Sequence, residues 1–402
     1  MNAVRYATIA ALVIMVVSTQ PQAAEIDTIV SGNSSFAFDL YERLGEAPGN
    51  IFYSPYSIST ALAMTYAGAR TVTEEEMADV LHFAGDQDEF HAGFSDLQQR
   101  ISESTAHASV TLNVANSLWC QEDYEFLPGF MSLQQERYAA QPHLVDFVTK
   151  PEQARRKINS WVEEQTNQRI KNLIPQGLIT PLTALVLCNG IHFKASWETR
   201  FDEEQTRDAP FYVSPDATVT VSMMRMNSAF KHCRVDGFTM VELPYADGST
   251  SMVVLLPDKD SDPENVHDRI TWPNMKTWLQ RLDDARRKTI VVGIPKFSMT
   301  MRLDLADTLA AMGMPHAFRG ADFSGMTGTR ELFISDVIHK AFIDVSEEGT
   351  EAAAATAVIM KRGGSPPHVI VDRPFVFLIR DSDTKSILFL GRVTDPTALS
   401  SE

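Results

Sequence analysis

Ser346-Glu347-Glu348-Gly349-Thr350-Glu351-Ala352-Ala353-Ala354-Ala355-Thr356-Ala357-Val358-Ile359-Met360-Lys361-Arg362-Gly363-Gly364-Ser365-Pro366-Pro367-His368 is the stretch whose reading decides the fold. It follows one strand-like run and precedes another, yet it is roughly twenty residues long, a length typical of functional lids and binding loops. Its first half is small and Ala-rich. Its second half carries Lys361-Arg362 and then Gly and Pro, the composition of an exposed, cuttable tip. Read with a period of two, Thr350, Ala352, Ala354, Thr356, Val358 and Met360 form one uncharged face. The other face holds Glu351, Ala353, Ala355, Ala357, Ile359 and Lys361. Such a strand could bury one side in a sheet and turn the other to solvent or a helix. Four consecutive alanines also have the highest helix propensity, so composition alone favours helix and leaves strand as the alternative.

Outward from this segment the strand candidates are Leu185 to Phe193, Met240 to Leu243, Met252 to Leu256, Ile290 to Ile294, Ala341 to Val345, Phe375 to Ile379 and Ile387 to Val393. Several are apolar throughout and are expected to be buried on both faces. Helices dominate the first hundred residues. Asn33 or Ser34 is expected to cap one through Phe36, Leu40, Tyr41 and Leu44, ended by Gly45. Ser57 is expected to cap a second through Ile58, Leu62 and Ala69, and Thr73 with Glu76 to form the capping box of a third. Two more are expected from Lys157 to Ile174 and from Leu303 to Met312. The fold class is α+β. No internal repeat, low-complexity tract or linker divides residues 25–402, which read as one domain with a loop at about 347–368.

The 402 residues carry 35 Lys+Arg against 52 Asp+Glu, a net charge of −17, which repels nucleic acid and anionic lipid surfaces. With 44% hydrophobic and 22% charged residues, wholesale disorder, collagen and coiled-coil rods are excluded. Arg5, the apolar run Ala7 to Val17 and the small residues Ala23-Ala24 before Glu25 read as a cleaved leader over residues 1–24, too short for a membrane anchor. The expected location is therefore extracellular or periplasmic. Cys120, Cys188 and Cys233 are too few and scattered for a disulfide framework or zinc ribbon, and no chemistry is assigned to them. The sequence contains no GxSxG, HExxH, CxxC, Walker loop or GxGxxG, and its histidines form no i,i+4 metal pairs, so no metal site, cofactor or catalytic residue is expected. A triad assembled from scattered Ser, His and Asp is the one enzymatic alternative.

Seven motifs occur in order along the chain: Asn50-Ile51-Phe52-Tyr53-Ser54-Pro55-Tyr56-Ser57-Ile58-Ser59-Thr60-Ala61-Leu62, Asn189-Gly190-Ile191-His192-Phe193-Lys194-Ala195-Ser196-Trp197, Glu242-Leu243-Pro244-Tyr245, Ile294-Pro295-Lys296-Phe297, Ala321-Asp322-Phe323-Ser324-Gly325, His339-Lys340-Ala341-Phe342 and Glu347 to Thr356. Each alone is weak, but the ordered set, spanning Asn33 to Pro396, resembles the serpins. Thr71 stands where that family usually has Gly, Gly190 where it has Ala, and His192 where it has an aromatic.

The resemblance implies a protease inhibitor that works by a change of fold. A target protease cuts the loop, and before the acyl-enzyme hydrolyses, the loop's first half inserts as a new central strand, an established instance of strand addition. It resolves the helix-or-strand question for Glu347, Glu348, Gly349, Thr350, Glu351, Ala352, Ala353, Ala354, Ala355 and Thr356 as an inserting hinge. The sequence requirement is then that inward positions be small or apolar, as all six are. The same resemblance implies that Ser54, Ser57, Asn189 and His339 form a polar cluster beneath the opening strands. Trp197 then lies where insertion begins, and Lys296 pairs with the hinge acid Glu347 in an exposed contact that holds the sheet closed to other molecules' loops.

Family spacing, about seventeen residues from Glu347, places the scissile bond at Gly363-Gly364. Gly offers a protease pocket nothing, whereas Arg362 fills a trypsin-like pocket, so the chemistry favours Arg362-Gly363. The expected partner is a trypsin-like serine protease trapped by a monomer. An elastase-like, subtilisin-like or cysteine protease target is the alternative within that mechanism, and a non-inhibitory carrier the alternative to it. The region from Asp86 to Ala108 has Arg100 as its only fixed positive charge, which argues against a heparin-like cofactor.

Overall fold

Within the first hundred residues, those from residue 25 onward fold mainly as helices, but the helix starts differ from the expected ones. The computed structural model describes residues 25–398 except 108, 260, 262 and 351–365. Its helices are α1 (Ile26–Gly45), α2 (Pro55–Tyr66), α3 (Thr71–Leu81), α4 (Gln87–Ser104), α5 (Pro128–Tyr138), α6 (Pro151–Gln165), α7 (Pro263–Arg269), α8 (Trp272–Asp283), α9 (Ala306–Met312) and α10 (Ser324–Thr327). α1 begins at Ile26 and not at Asn33 or Ser34, because buried Ile29 and Val30 extend the apolar stripe two turns toward the N-terminus. Ser54, not Ser57, caps α2: Pro55 takes the first helical position, and the Ser57 amide donates to Ser54 Oγ at 3.1 Å. Thr73 forms no capping box. It lies inside α3, its hydroxyl accepting the Asp322 amide at 2.9 Å. The helix expected over Lys157 to Ile174 ends at Gln165, where Asn167 and Gln168 take positive φ. The chain then folds back so that Asn159 pairs with both backbone groups of Ile174. Leu303 belongs to a strand, and the helix after it starts at Ala306.

The strands are β1 (Ile51–Tyr53), β2 (Val110–Gln121), β3 (His143–Val145), β4 (Leu185–Ser196), β5 (Arg207–Ser214), β6 (Ala217–Val235), β7 (Phe238–Pro244), β8 (Thr250–Pro257), β9 (Lys288–Pro295), β10 (Phe297–Asp304), β11 (Ile334–Val345), β12 (Gly349–Thr350), β13 (His368–Ile370), β14 (Phe375–Asp381) and β15 (Ile387–Val393). Nine described strands form one sheet in the order β1-β15-β14-β8-β7-β6-β9-β13, with β5 on β6; β10-β11-β4-β2-β3, with β12 on β4, form the other. β8, β14 and β15 are almost wholly buried, as their unbroken apolar runs require. Rings of both sheets meet between them, Phe193 of β4 lying 5.7 Å from Phe389 of β15. On the opposite face of the second sheet, α6 packs Ile158 and Val162 against Ala115, Val186, Cys188 and Ile338.

The centre of the second sheet is a parallel join. β11 runs parallel beside β4, pairing Ile334 with Leu185 and, after a register shift at Ser335, continuing in register from Asp336↔Val186 to Phe342↔His192, while β10 and β2 flank the pair antiparallel. Beyond that register the two strands part. β12, reached through a turn in which Ser346 bridges Gly349, fills the wedge antiparallel to β4.

Thr71 shows why glycine suits its position. Its φ is +53°, a conformation costing a side-chain-bearing residue about 1–2 kcal/mol, and its hydroxyl recovers part of that by donating to Asp322 Oδ2 at 3.0 Å. Thr71→Val keeps the strain and loses the bond, so it should destabilise by about 1–2 kcal/mol. Thr71→Gly exchanges both terms and should stay within about 1 kcal/mol of wild type. Denaturant unfolding checks this, and equal losses in the two variants would contradict it.

Candidate functional site

The hinge begins with a carboxylate that the sequence reading placed at the surface and the structure buries. Glu347 is 7% exposed at its side chain, with Oε2 2.7 Å from Lys296 Nζ and Oε1 accepting the Thr206 hydroxyl at 2.8 Å. Burial alone would raise its pKa. The hydrogen bonds from Lys296, the backbone and Thr206 outweigh that and hold it below the ordinary glutamate value. The Glu347 and Glu348 carbonyls accept the amides of Phe201 and Trp197, and Trp197 Nε1 donates to the Ser346 carbonyl at 3.0 Å. Three consecutive residues, Ser346, Glu347 and Glu348, are thus tied to the end of β4 and the segment after it.

Gly349 makes the next step. Its φ is +138°, and a Cβ there would lie 2.1 Å from the Ala195 carbonyl oxygen, so only glycine fits. Thr350 then pairs with Ala195 and is 1% exposed, its hydroxyl 3.2 Å from that of Tyr245. Tyr245 stacks on Trp197 at 4.6 Å with an interplanar angle of 6°. Lys296, Glu347 and Trp197 are therefore brought together at one end of the β4–β11 join. The sequence assigns no role to Tyr245 or Thr206: Tyr245 ends the motif Glu242-Leu243-Pro244-Tyr245, and Thr206 carries no local signal. Glu351 to Thr356, Arg362, Gly363 and Gly364 lie outside the described residues.

Deeper in the same join, Ser54, Ser57, Asn189 and His339 form one buried network. His339 and Asn189 face each other across the parallel pair. The Ser54 amide donates to His339 Nε2 at 3.2 Å, so that nitrogen carries no proton and Nδ1–H is left to donate to Asn189 Oδ1. The Asn189 amide donates to Ser57 Oγ and Asn116 Oδ1, and Ser54 Oγ donates to the Leu388 carbonyl at 2.6 Å. Asn116, opposite Asn189 on β2, was not foreseen. Its strand mixes Asn and Ser with apolar residues and gave no clear period. The network ties three adjacent strands of one sheet, through the α2 N-terminus, to β15 of the other.

Cys120 and Cys188 are buried free thiols whose pKa burial raises, and Cys233 is half-buried and free. No group of three His, Cys, Asp or Glu able to hold a metal exists among the described residues.

Burial pulls the His339 pKa down to about 3. A histidine that stays neutral in the folded chain but takes a proton near 6.5 once unfolded makes the unfolded state bind more protons in this window. Stability is then full above pH 6.5 and falls as pH drops toward 3. At pH 5 the loss is about 2 kcal/mol for His339 alone. His91 and His192, lowered to about 3 and about 4, act in the same direction. His339→Gln should remove about 2 kcal/mol of the pH 7-to-5 difference in unfolding free energy while lowering stability at pH 7. An unchanged difference would refute the role given to His339.

Residues 31–396 match the profile of the serpin family, described as serine protease inhibitors. The chain is 41% identical over 387 residues to the leukocyte elastase inhibitor of Bos taurus, covering 92% of this chain and all of that one. Among solved structures it is similar to human thyroxine-binding globulin complexed with thyroxine, with a TM-score of 0.84 and 33% identity over 93% of this chain and all of that one. It is also similar to uncleaved ovalbumin, with a TM-score of 0.83 and 31% identity over 92% of this chain and all of that one. A seam held by Asn189 and His339, a glycine-gated hinge entering its end, and a family match spanning nearly the whole described chain together make this protein a member of the serpin family.

Proposed function

We propose that this serpin is inhibitory, and that it traps a trypsin-like serine protease as a covalent acyl complex after attack at Arg362-Gly363. The observation that supports this most directly is β12. Gly349 and Thr350 already lie in the strand position that insertion fills, antiparallel to β4, with Thr350 turned into the core. Continued in the same register, Ala352 comes opposite Phe193, Ala354 opposite Ile191 and Thr356 opposite Asn189. No charge enters the inner face, and the Asn189–His339 seam is the place the strand must part.

An elastase-type target is the competing reading, favoured by the bovine relative's name. Arg362, not a small aliphatic residue, is the observation against it. Incubation with trypsin and with an elastase should give a denaturant-resistant band at the summed mass with trypsin, a released fragment beginning at Gly363, and a large rise in melting temperature of the cleaved protein. A fragment beginning at Gly364 would move the bond by one residue. Cleavage with neither complex nor stabilisation would leave a serpin fold without inhibition. Thr350→Arg forces an unpaired charge to be buried at a cost of several kcal/mol, so it should still be cut at the same bond but turn over as substrate, raising the stoichiometry of inhibition at least tenfold.

The leader read over residues 1–24 lies outside the described residues, and the family match begins at residue 31. Export is proposed on its Arg5, apolar run and Ala23-Ala24 pattern. Protein expressed with its own leader should start at Glu25 by N-terminal sequencing, and retention of Met1 in exported protein would exclude cleavage.

A further inference from the structure

A cavity of about 510 Å³ opens where α1, α7 and the ends of β5, β8, β14 and β15 meet. None of the described hinge or opening-cluster residues lines it. Its volume lies within the range of about 300–1,000 Å³ that accommodates small organic ligands. The walls are largely carbon: Tyr41, Val213, Pro257, Phe375 and Val376. The charge around it is uneven. Asp372 takes Arg373 on one oxygen at 2.5 Å and Lys259 on the other at 3.6 Å, so one carboxylate serves two cations. Asp258, the other lining carboxylate, is engaged by Arg234 at 2.5 Å. Arg392, the third lining cation, gives its guanidinium to the carbonyls of Gly45, Ala47 and Gly49. Among the described residues it has no carboxylate in ion-pairing range. A greasy cavity with surplus positive charge thus sits on a chain of net charge −17. Lys259 is 73% exposed and its contact to Asp372 is long, so its ammonium group can turn to meet an anion at the mouth.

We propose that this cavity binds an amphipathic organic anion, its aromatic or aliphatic body against Phe375 and Val376 and its carboxylate or sulfonate at Lys259. The pairing follows from the chemistry: apolar area supplies the affinity, and one flexible cation at the rim fixes the sign of the head group. The proposal is independent of whether the protein inhibits a protease.

The test titrates intact protein with 8-anilinonaphthalene-1-sulfonate and with N-phenyl-1-naphthylamine, which keeps the aromatic body and lacks the sulfonate. Wild type should bind the sulfonate saturably at one site with micromolar Kd. Val213→Trp, placed where β5 ends at the rim, should weaken both probes at least tenfold. Lys259→Glu should weaken the sulfonate three- to tenfold and leave the neutral probe unchanged. Matching melting temperatures without probe would show that the variants are folded. If Val213→Trp fails that check, the contrast between the two probes in Lys259→Glu decides. Absence of saturable binding, equal sulfonate binding by wild type and folded Val213→Trp, or an identical effect of Lys259→Glu on both probes would overturn the proposal.

Discussion

The parallel join of β4 and β11 is the constraint on which the rest of the structure depends. Parallel pairs are slightly weaker per residue than antiparallel ones, and here such a pair forms the middle of a sheet whose neighbours on both sides are antiparallel. A strand entering between them, antiparallel to both, would exchange one ladder of hydrogen bonds for two. For such a strand to enter, the join would first have to give up the buried network around Asn189 and His339. Removing one partner from such a network leaves desolvated polar atoms unpaired, at about 1–3 kcal/mol each. In the proposed insertion the cluster would act as a latch whose strength depends on every member being satisfied at once.

In the proposed insertion the hinge would set where the join parts. Gly349 tolerates the positive φ and the close approach to Ala195 that turn the chain back between the strands, and Thr350 is small enough to sit beneath Tyr245. Glu347 is fixed from outside the wedge by Lys296 and Thr206, which limits how far the turn can shift. Among the described residues, Gly349 and Thr350 lie in the wedge, with a buried, hydrogen-bonded carboxylate on one side of the turn and a paired hydroxyl on the other.

What could be read from sequence follows the strength of local signals. β4, β8, β14 and β15 were legible because strands buried on both faces read as unbroken apolar runs. β2, β6 and β10 were not, since residues such as Asn113, Asn116 and Arg225 break both the apolar run and a clean alternation. Helix starts failed where the decisive contact was tertiary, as with Thr73, whose hydroxyl serves Asp322 some 249 residues away. The opening cluster came from family resemblance and not from periodicity. No local pattern links Ser54 to His339, 285 residues apart, and Asn116 and Thr206 escaped for the same reason.

The departures from the family pattern and the alanine run belong to one packing problem. Gly190 turns toward α6, where a Cβ would lie 2.9 Å from Val162 Cγ1, so the missing methyl lets the helix settle closely on β4. Paired residues on neighbouring strands point to the same side. In the proposed insertion, Ala353, Ala355 and Ala357 would come opposite His192, Gly190 and Cys188, all beneath or beside α6. The even-numbered positions must be uncharged because they enter the core near Phe193. The odd ones must be short because a helix already lies over their path. A run satisfying both conditions has to be small on two faces. That would account for Ala352 to Ala355 looking helical by composition while serving a strand in the proposed insertion, whose steric limit would then lie at α6 as much as at the join itself.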